Sequence, residues 1–465
     1  MDHKAKALVG LLAATCVFSF IALILSIVNV KDVILPPSTK YGLVFDAGST
    51  HTALYIYRWR ADKENGTGIV SQVETCTAAG PGISSYADDP AGAGASLKPC
   101  LDKAMEIIPA EQQRETPTYL GATAGMRLLR YSTARSRQEG LKQGDRILEG
   151  RDRDCDYLQL RLTLAVLSGQ YSFAEKWEHP QDAEVFGALD LGGASTQITF
   201  QPGVTIEDKN TSVFFRLYGT NYSLYTHSYL CYGQTQALKR LLAALHQVPS
   251  TAQISHPCYP RGYQENITTA ELYDSPCVRA PSSPSAVQLL RVMGTGEPAA
   301  CSAAIQQLFN LSCGANSTCG FNGVYQPPVR GQFFAFAGFY YTFYFLNLTS
   351  QQSLKDVNST VQAFCKKDWA EVRALQVHVA PWTKATCGWE RHFWMTFAPS
   401  PQAANTDIGW TLGFMLNLTN MIPTEALEHV KGQQPSLWAG AVSCIVLATV
   451  AGLVTGFLPC FRKSK

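Results

Sequence analysis

The sequence predicts an α/β fold for the central part of the chain, held between two membrane-spanning helices. Three observations carry this expectation. A strand, an Asp, a Gly-rich turn and a second strand occur together twice; helical stretches alternate with strands elsewhere; and a long uncharged apolar run lies near each end. The 465 residues suffice for two or three domains with ample core, and the net charge of +2 gives no support to a disordered tail or a nucleic-acid-binding surface.

The first apolar run, Ala7 to Val28, carries no charge and matches the ~20 residues an α-helix needs to cross a bilayer. A signal peptide is the alternative, but Leu25-Ser-Ile-Val-Asn-Val30 offers no small-residue cleavage site, so an uncleaved anchor is expected. Leu437 to Phe457 forms the second run. Lys4 and Lys6 precede the first span, and Arg462, Lys463 and Lys465 follow the second, which places both termini in the cytosol and Lys31 to Ser436 outside.

That outer part carries Asn-x-Ser/Thr sequons at Asn65, Asn210, Asn221, Asn266, Asn310, Asn316, Asn347, Asn358 and Asn417, the pattern of a glycosylated surface. Asn417 lies in an apolar run and is expected to be buried and without sugar. The chain has 14 cysteines and no zinc-type spacing among them, so an oxidising compartment is expected. Eleven of them lie in the outer part, an odd number, which leaves one without a partner. Spacing alone does not fix the connectivity.

The repeat sets the elements. Gly42-Leu-Val-Phe-Asp-Ala-Gly-Ser-Thr50 precedes the alternating Ala53-Leu-Tyr-Ile-Tyr57, and Gly187-Ala-Leu-Asp-Leu-Gly-Gly-Ala-Ser-Thr196 precedes Gln197-Ile-Thr-Phe200. Each reads as a β-hairpin. Tyr119-Leu-Gly-Ala-Thr-Ala-Gly-Met-Arg127 reads as a strand end feeding a helix, and Ala237 to Leu245 as a helix after the Cys231-Tyr-Gly233 turn. Glycine turns after strands leave backbone N–H groups free to hold phosphate oxygens. One Asp at the end of each strand puts two carboxylates at one cleft if the hairpins face each other, and paired carboxylates with phosphates suit Mg²⁺ or Ca²⁺. A single Asp-x-Gly is an ordinary turn; two related copies plus the third motif point to a nucleotide-phosphate site.

Phe45-Asp-Ala-Gly-Ser-Thr-His51, Leu120-Gly-Ala-Thr-Ala-Gly-Met-Arg-Leu-Leu129, Ala188-Leu-Asp-Leu-Gly-Gly-Ala-Ser-Thr-Gln197, Thr226-His-Ser-Tyr-Leu-Cys-Tyr-Gly233 and Gly409-Trp-Thr-Leu-Gly-Phe-Met-Leu-Asn-Leu-Thr419 resemble the apyrase motifs of the ecto-nucleoside triphosphate diphosphohydrolases. They stand in the family's order between two terminal anchors. The resemblance implies two RNase-H-like domains of the actin/hexokinase type with the nucleotide in the cleft between them. It places 1–30 as tail and anchor, 31–148 as the first lobe completed by 405–436, 149–404 as the second lobe, and 437–465 as anchor and tail. It further implies cation-dependent hydrolysis of extracellular tri- and diphosphates (ATP, ADP, UTP, UDP) at the plasma membrane, with a homo-oligomer as a possible assembly and no nucleic-acid partner.

Carried over by motif, Asp46 and Asp190 hold a Ca²⁺ or Mg²⁺, while Gly48, Ser49, Thr50, His51, Thr123, Gly192, Gly193 and Ala194 cradle phosphates. Ser195, also at the phosphates, positions the attacking water with Gln197; Trp410 closes the cleft near the metal, and Tyr340 stacks on the base. Tyr340 and Trp410 lie in apolar runs where an ordinary core role is the competing reading, and His51 has one as a turn residue. The resemblance also pairs Cys76 with Cys100, Cys231 with Cys277, Cys258 with Cys301, Cys313 with Cys319 and Cys365 with Cys387, and leaves Cys155 alone. Anhydride hydrolysis asks for positioning, charge neutralisation and an oriented water, and a carboxylate base adds roughly 10²- to 10⁴-fold.

Two stretches depart from the family pattern. A Glu-Gly-x-x-Gly-Trp block is expected before Asp190, but the chain has Gly144-Asp-Arg-Ile-Leu-Glu-Gly-Arg-Asp-Arg-Asp-Cys-Asp-Tyr157, in which Glu149 is the best remnant of the base and Glu139 the second. The segment from Cys387 to Trp410 is shorter than the family's. A splice or misprediction variant with impaired catalysis is therefore the alternative to an active ecto-enzyme. A surface adhesion or receptor protein would not need both Asp-Gly hairpins, and a sugar or acetate kinase would need an acceptor site and is normally cytosolic.

Overall fold

A computed structural model describes residues 3–27, 31–34, 38–63, 65–122, 124–129, 187–246, 251–279, 287–314, 318–348, 353–374, 397–398, 402–403, 406–407, 409–425, 429–432 and 435–457. The elements that matter begin with α1 (His3–Ile27), β1 (Lys31–Ile34), β2 (Thr39–Ala47), β3 (Thr52–Arg60), β4 (Ser71–Thr77), α2 (Pro90–Ile107), β5 (Thr118–Ala122) and α3 (Ala124–Arg127). They continue with β6 (Gly187–Leu191), β7 (Ser195–Phe200), β8 (Ser212–Leu217), β9 (Thr220–Leu230), α4 (Gln234–Leu245), β10 (Gln253–His256), β11 (Gln264–Thr268) and β12 (Leu289–Gly294). The last are β13 (Phe333–Ala337), α5 (Gly338–Phe345), β14 (Phe397–Ala398), α6 (Trp410–Met421), β15 (His429–Gly432) and α7 (Pro435–Phe457).

The chain divides into two compact units. One comprises Met1–Ser38 with Glu425–Lys465. Within it α1 and α7 pack against each other, with Gly440 facing Leu25, and Val9–Ser26 and Ser436–Thr455 are long and apolar enough to cross a membrane. β1 and β15 pair antiparallel from Lys31 opposite Gly432 to Ile34 opposite His429. Both helices therefore start from the same end of this ribbon and run away from it side by side.

The other unit, Thr39–Thr424, contains both hairpins. β2 and β3 pair antiparallel up to Ala47 opposite Thr52, and β6 and β7 up to Leu191 opposite Thr196. The first sheet has the order β4-β3-β2-β5, with β5 parallel to β2 and Gly121 opposite Asp46. The second has the order β14-β13-β6-β7-β9-β8, with β13 parallel to β6 and Phe336 opposite Asp190. Each Asp-bearing strand thus lies between its hairpin partner and a parallel strand that feeds a helix, α3 in one sheet and α5 in the other. The sequence repeat is a repeat of topology. A separate three-stranded sheet has the order β10-β12-β11.

The apolar run in β2 is continuous because both faces of the strand are covered. Leu43, Phe45 and Ala47 share a core with Ala93, Leu97, Cys100 and Ala104 of α2, whereas Val44 packs with Phe414 and Met415 of α6. The same core takes in Val213, Leu217 and Leu224 of β8 and β9. Helix α6 is apolar on every side and buried along most of its length, as such a helix has to be.

Four of the expected disulfides are formed: Cys76–Cys100, Cys231–Cys277, Cys258–Cys301 and Cys313–Cys319. Cys365 is also disulfide-bonded; Cys387 and Cys155 lie outside the described residues, as does the sequon Asn316. Asn65, Asn210, Asn221, Asn266, Asn310 and Asn347 are exposed, while Asn358 is half-buried. Asn417 is half-buried within α6, and its sequon Thr419 is fully buried.

Candidate active site

The two hairpin turns and the start of α6 meet around one cleft of about 130 Å³. Asp46, Gly48, Ser49, Thr50 and His51 line it from the first turn, and Asp190, Gly192, Gly193, Ala194, Ser195 and Gln197 from the second, with Trp410 beside them. The turns approach closely: a β-carbon built on Gly193 would lie 2.7 Å from Ser49 Oγ and 2.9 Å from Thr50 Cγ2. Any side chain at 193 would fill the space between the turns. Only glycine leaves that backbone open to a ligand.

Asp46 sits at the inner end of β2, held in register by β3 and β5. Its Oδ1 is buried and has no hydrogen-bond partner. Burial pushes its pKa up to about 7, and the Asp190 charge adds to the rise; the Trp410 indole faces the carboxylate and tempers it without closing a hydrogen bond of standard geometry. A buried carboxylate with an orphaned oxygen, next to a second carboxylate, calls for a cation. Among the described residues no cluster of three or more His, Cys, Asp or Glu forms a metal cage. Two carboxylates with the remaining positions left to water and phosphate oxygens are the donor set that Mg²⁺ accepts and Ca²⁺ tolerates, so the residues present fit such an ion.

A polar ring forms beside the second turn. Arg127 Nη2 donates to Ser228 Oγ at 2.8 Å and to Ser195 Oγ at 3.2 Å. Gln197 Nε2 donates to Ser228 Oγ at 3.1 Å and also to Ser195 Oγ. Gln197 and Ser228 are direct cross-strand neighbours on β7 and β9. Gln197 Oε1 and Arg127 Nε are buried without partners. Burial and the Arg127 charge hold His227, the next residue back along β9, down at about 4, so it is neutral at pH 7.

Arg127, Ser228 and Ala337 are functional candidates that the sequence reading missed, and Arg127 and Ala337 line the cleft. A cation in the first helical turn after a phosphate motif is a usable signal for Arg127. Ser228 follows from the period-two hydroxyl pattern Thr226, Ser228 along β9. Nothing in the sequence marks Ala337, which joins β13 to α5 at φ 51° and ψ −120°, a conformation that costs a non-glycine residue of order 1–3 kcal/mol. Tyr340 is half-buried on α5, stacked on Tyr344 at 6.0 Å and edge-on to Tyr341 at 5.6 Å, and is not among the residues lining the cleft. Thr123, Glu139 and Glu149 lie outside the described residues.

Two topologically equivalent sheets, each ending in an Asp and a Gly turn at a shared phosphate-sized cleft, define the actin/hexokinase-like nucleotide phosphatase fold. A crystal structure described as nucleoside triphosphate hydrolases from Neospora caninum has this architecture, with a TM-score of 0.51 and 12% identity over 89% of this chain and 95% of that one. Residues 32–380 match the model of the GDA1/CD39 (nucleoside phosphatase) family, and the chain belongs to that family. It is 65% identical to ectonucleoside triphosphate diphosphohydrolase 8 of Gallus gallus over the full length of both, and 46% identical to the Homo sapiens protein of that name over 97% of each. The Gallus gallus alignment runs over 494 residues although this chain has 465, so the relative carries residues that this chain lacks.

Proposed function

We propose that the chain hydrolyses extracellular nucleoside tri- and diphosphates, ATP, ADP, UTP and UDP among them, to monophosphate and phosphate at the cell surface. The observation that carries this is the convergence of both Asp-Gly turns on one cleft, with Gly193 open between Ser49 and Thr50. The cleft would run between a first lobe, 31–148 completed by 405–436, and a second lobe, 149–404. Backbone N–H groups of the two turns, with Ser49, Thr50, His51 and Thr123, bind the phosphates. Asp46 and Asp190 hold a Ca²⁺ or Mg²⁺, which when bound neutralises charge on the bridging and terminal oxygens. Trp410 keeps bulk water from the Asp46 side. Ser195 and Gln197 orient the attacking water, and Glu149 accepts its proton. Tyr340 stacks on the base where it leaves the cleft. Two apolar helices joined side by side to one end of a ribbon support a two-pass plasma-membrane protein with cytosolic termini, and a homo-oligomer through these helices fits that arrangement.

A second reading, nucleotide binding with impaired turnover, is favoured by the missing Glu-Gly-x-x-Gly-Trp block before Asp190. Phosphate release from ATP and ADP by intact cells expressing the chain separates the two. Release that EDTA abolishes, and that is lost in Asp190→Ala and Glu149→Gln, is the expected result. Protein that reaches the surface and binds nucleotide without releasing phosphate would establish the second reading instead.

A further inference from the structure

We propose that Ser228 is a positioning residue for hydrolysis, acting through Ser195 and Gln197; the inference rests on the water-orienting role given to those two above. Four donated protons meet four lone pairs around the polar ring, while Arg127 Nε and Gln197 Oε1 stand outside it without partners. A serine hydroxyl has two lone pairs and one proton, and Arg127 is a donor only. Ser195 Oγ and Ser228 Oγ each accept from Arg127 Nη2 and from Gln197 Nε2. Both lone pairs of each oxygen are taken, and so are both protons of each nitrogen. The ring is closed.

Two consequences follow for the cleft. Ser195, with no lone pair left, can only donate its proton outward, toward a water or a phosphate oxygen. Gln197, with both amide protons tied to the two serines, has its Oε1 fixed in direction, buried and without a protein partner although the residue lines the cleft. The Ser195 proton and the buried Gln197 Oε1 are thus both left without a partner in the ring, a donor and an acceptor that a single oriented water satisfies. Ser228 does not line the cleft. Its oxygen is the corner of the ring that keeps Gln197 from turning and ties Arg127, on α3 after the first sheet, to β9 of the second. The next hydroxyl pair on the same face, Thr199 with Thr226 at 2.8 Å, closes on itself and does not line the cleft, which is how a purely structural cross-strand pair looks here.

Steady-state kinetics of phosphate release from ATP test the assignment in the full-length chain. Ser228→Ala lowers kcat about tenfold, the effect of losing the one of its two hydrogen bonds that orients Gln197, with KM within about twofold. Ser228→Thr, which keeps the hydroxyl, restores most of the rate. In a Gln197→Ala background the same Ser228→Ala change costs clearly less than in the unmodified chain, because coupled residues are non-additive. An unchanged kcat in Ser228→Ala, a fully additive double variant, or a loss explained by reduced surface level alone would overturn the proposal. Ser195→Ala and Gln197→Ala at unmodified rates, or a chain that releases no phosphate at all, would instead remove the reading on which it rests.

Discussion

Gly121 lies against the benzo end of the Trp410 indole: a β-carbon at 121 would come within 2.3 Å of Trp410 Cη2. The same Gly121 is the register partner of Asp46 on the neighbouring strand. One glycine therefore lets the ring that begins α6 close over the buried carboxylate, and it links two motifs almost three hundred residues apart in sequence. Tyr57, whose hydroxyl bonds Thr411 Oγ1 at 2.8 Å, fixes the helix start from below.

Gly121→Ala should therefore displace the indole. Overpacking of this kind costs typically 1–3 kcal/mol, seen as a lower midpoint in thermal unfolding, together with a loss of phosphate release as Asp46 is uncovered. A Gly121→Ala/Trp410→Phe double variant, with a smaller ring, should regain stability. Equal melting temperatures for Gly121→Ala and the unmodified protein would show that the indole does not sit on this glycine.

Asp46→Asn should separate stability from activity. In the cation-free protein the ionised carboxylate is disfavoured by burial and by Asp190, which is why its pKa is pushed up to about 7. Removing that charge should stabilise the protein in EDTA at pH 8 by on the order of 1–3 kcal/mol, while phosphate release disappears. A variant that is destabilised in EDTA would contradict the placement of Asp46 in a desolvated site.

Much of this site was legible in the sequence because repeats and small-residue turns are local signals. Asp46 and Asp190 stand at equivalent ends of equivalent strands, as the duplicated pattern predicted, and the four disulfides among described residues follow the family's pairing. The cross-sheet relations were not legible. That Arg127 reaches Ser228, or that Gly121 underlies Trp410, depends on how two sheets and α6 pack, and no spacing encodes it. The β13–α5 junction escaped for a different reason: Ala337 has an ordinary small side chain, and nothing in that residue type marks a backbone held at φ 51°.

His256 should make the fold sensitive to acid. Its ring is fully buried, stacked on Tyr259 at 3.8 Å, and it borders an apolar cavity of about 40 Å³ with neither nitrogen partnered. Burial lowers its pKa to about 4, against an ordinary 6.5, with Glu265 opposing the shift. The unfolded chain takes up the proton more readily than the folded one. Stability is therefore full above about pH 6.5 and falls as pH drops toward 4, by up to roughly 1.4 kcal/mol per pH unit in that window. His256→Leu should flatten the profile of urea midpoint against pH between 6.5 and 4. An undiminished slope would assign the acid sensitivity elsewhere.

Ala337→Gly sets two opposing effects against each other. Glycine accepts φ 51° without a β-carbon clash, relieving strain of order 1–3 kcal/mol, but it also loosens the unfolded chain by about 0.4–1 kcal/mol. The relief outweighs the loosening, so the variant should be more stable by about 1 kcal/mol in urea unfolding, whereas Ala337→Val, β-branched at the same backbone angle, should be less stable than the unmodified chain. Because Ala337 lines the cleft and opens α5, on which Tyr340 is carried, the extra freedom of glycine should raise KM for nucleotide more than it lowers kcat. A stabilised variant with unchanged KM would mean that the strain is a by-product of the β13–β6 pairing; a destabilised one would mean that the alanine is not strained at all.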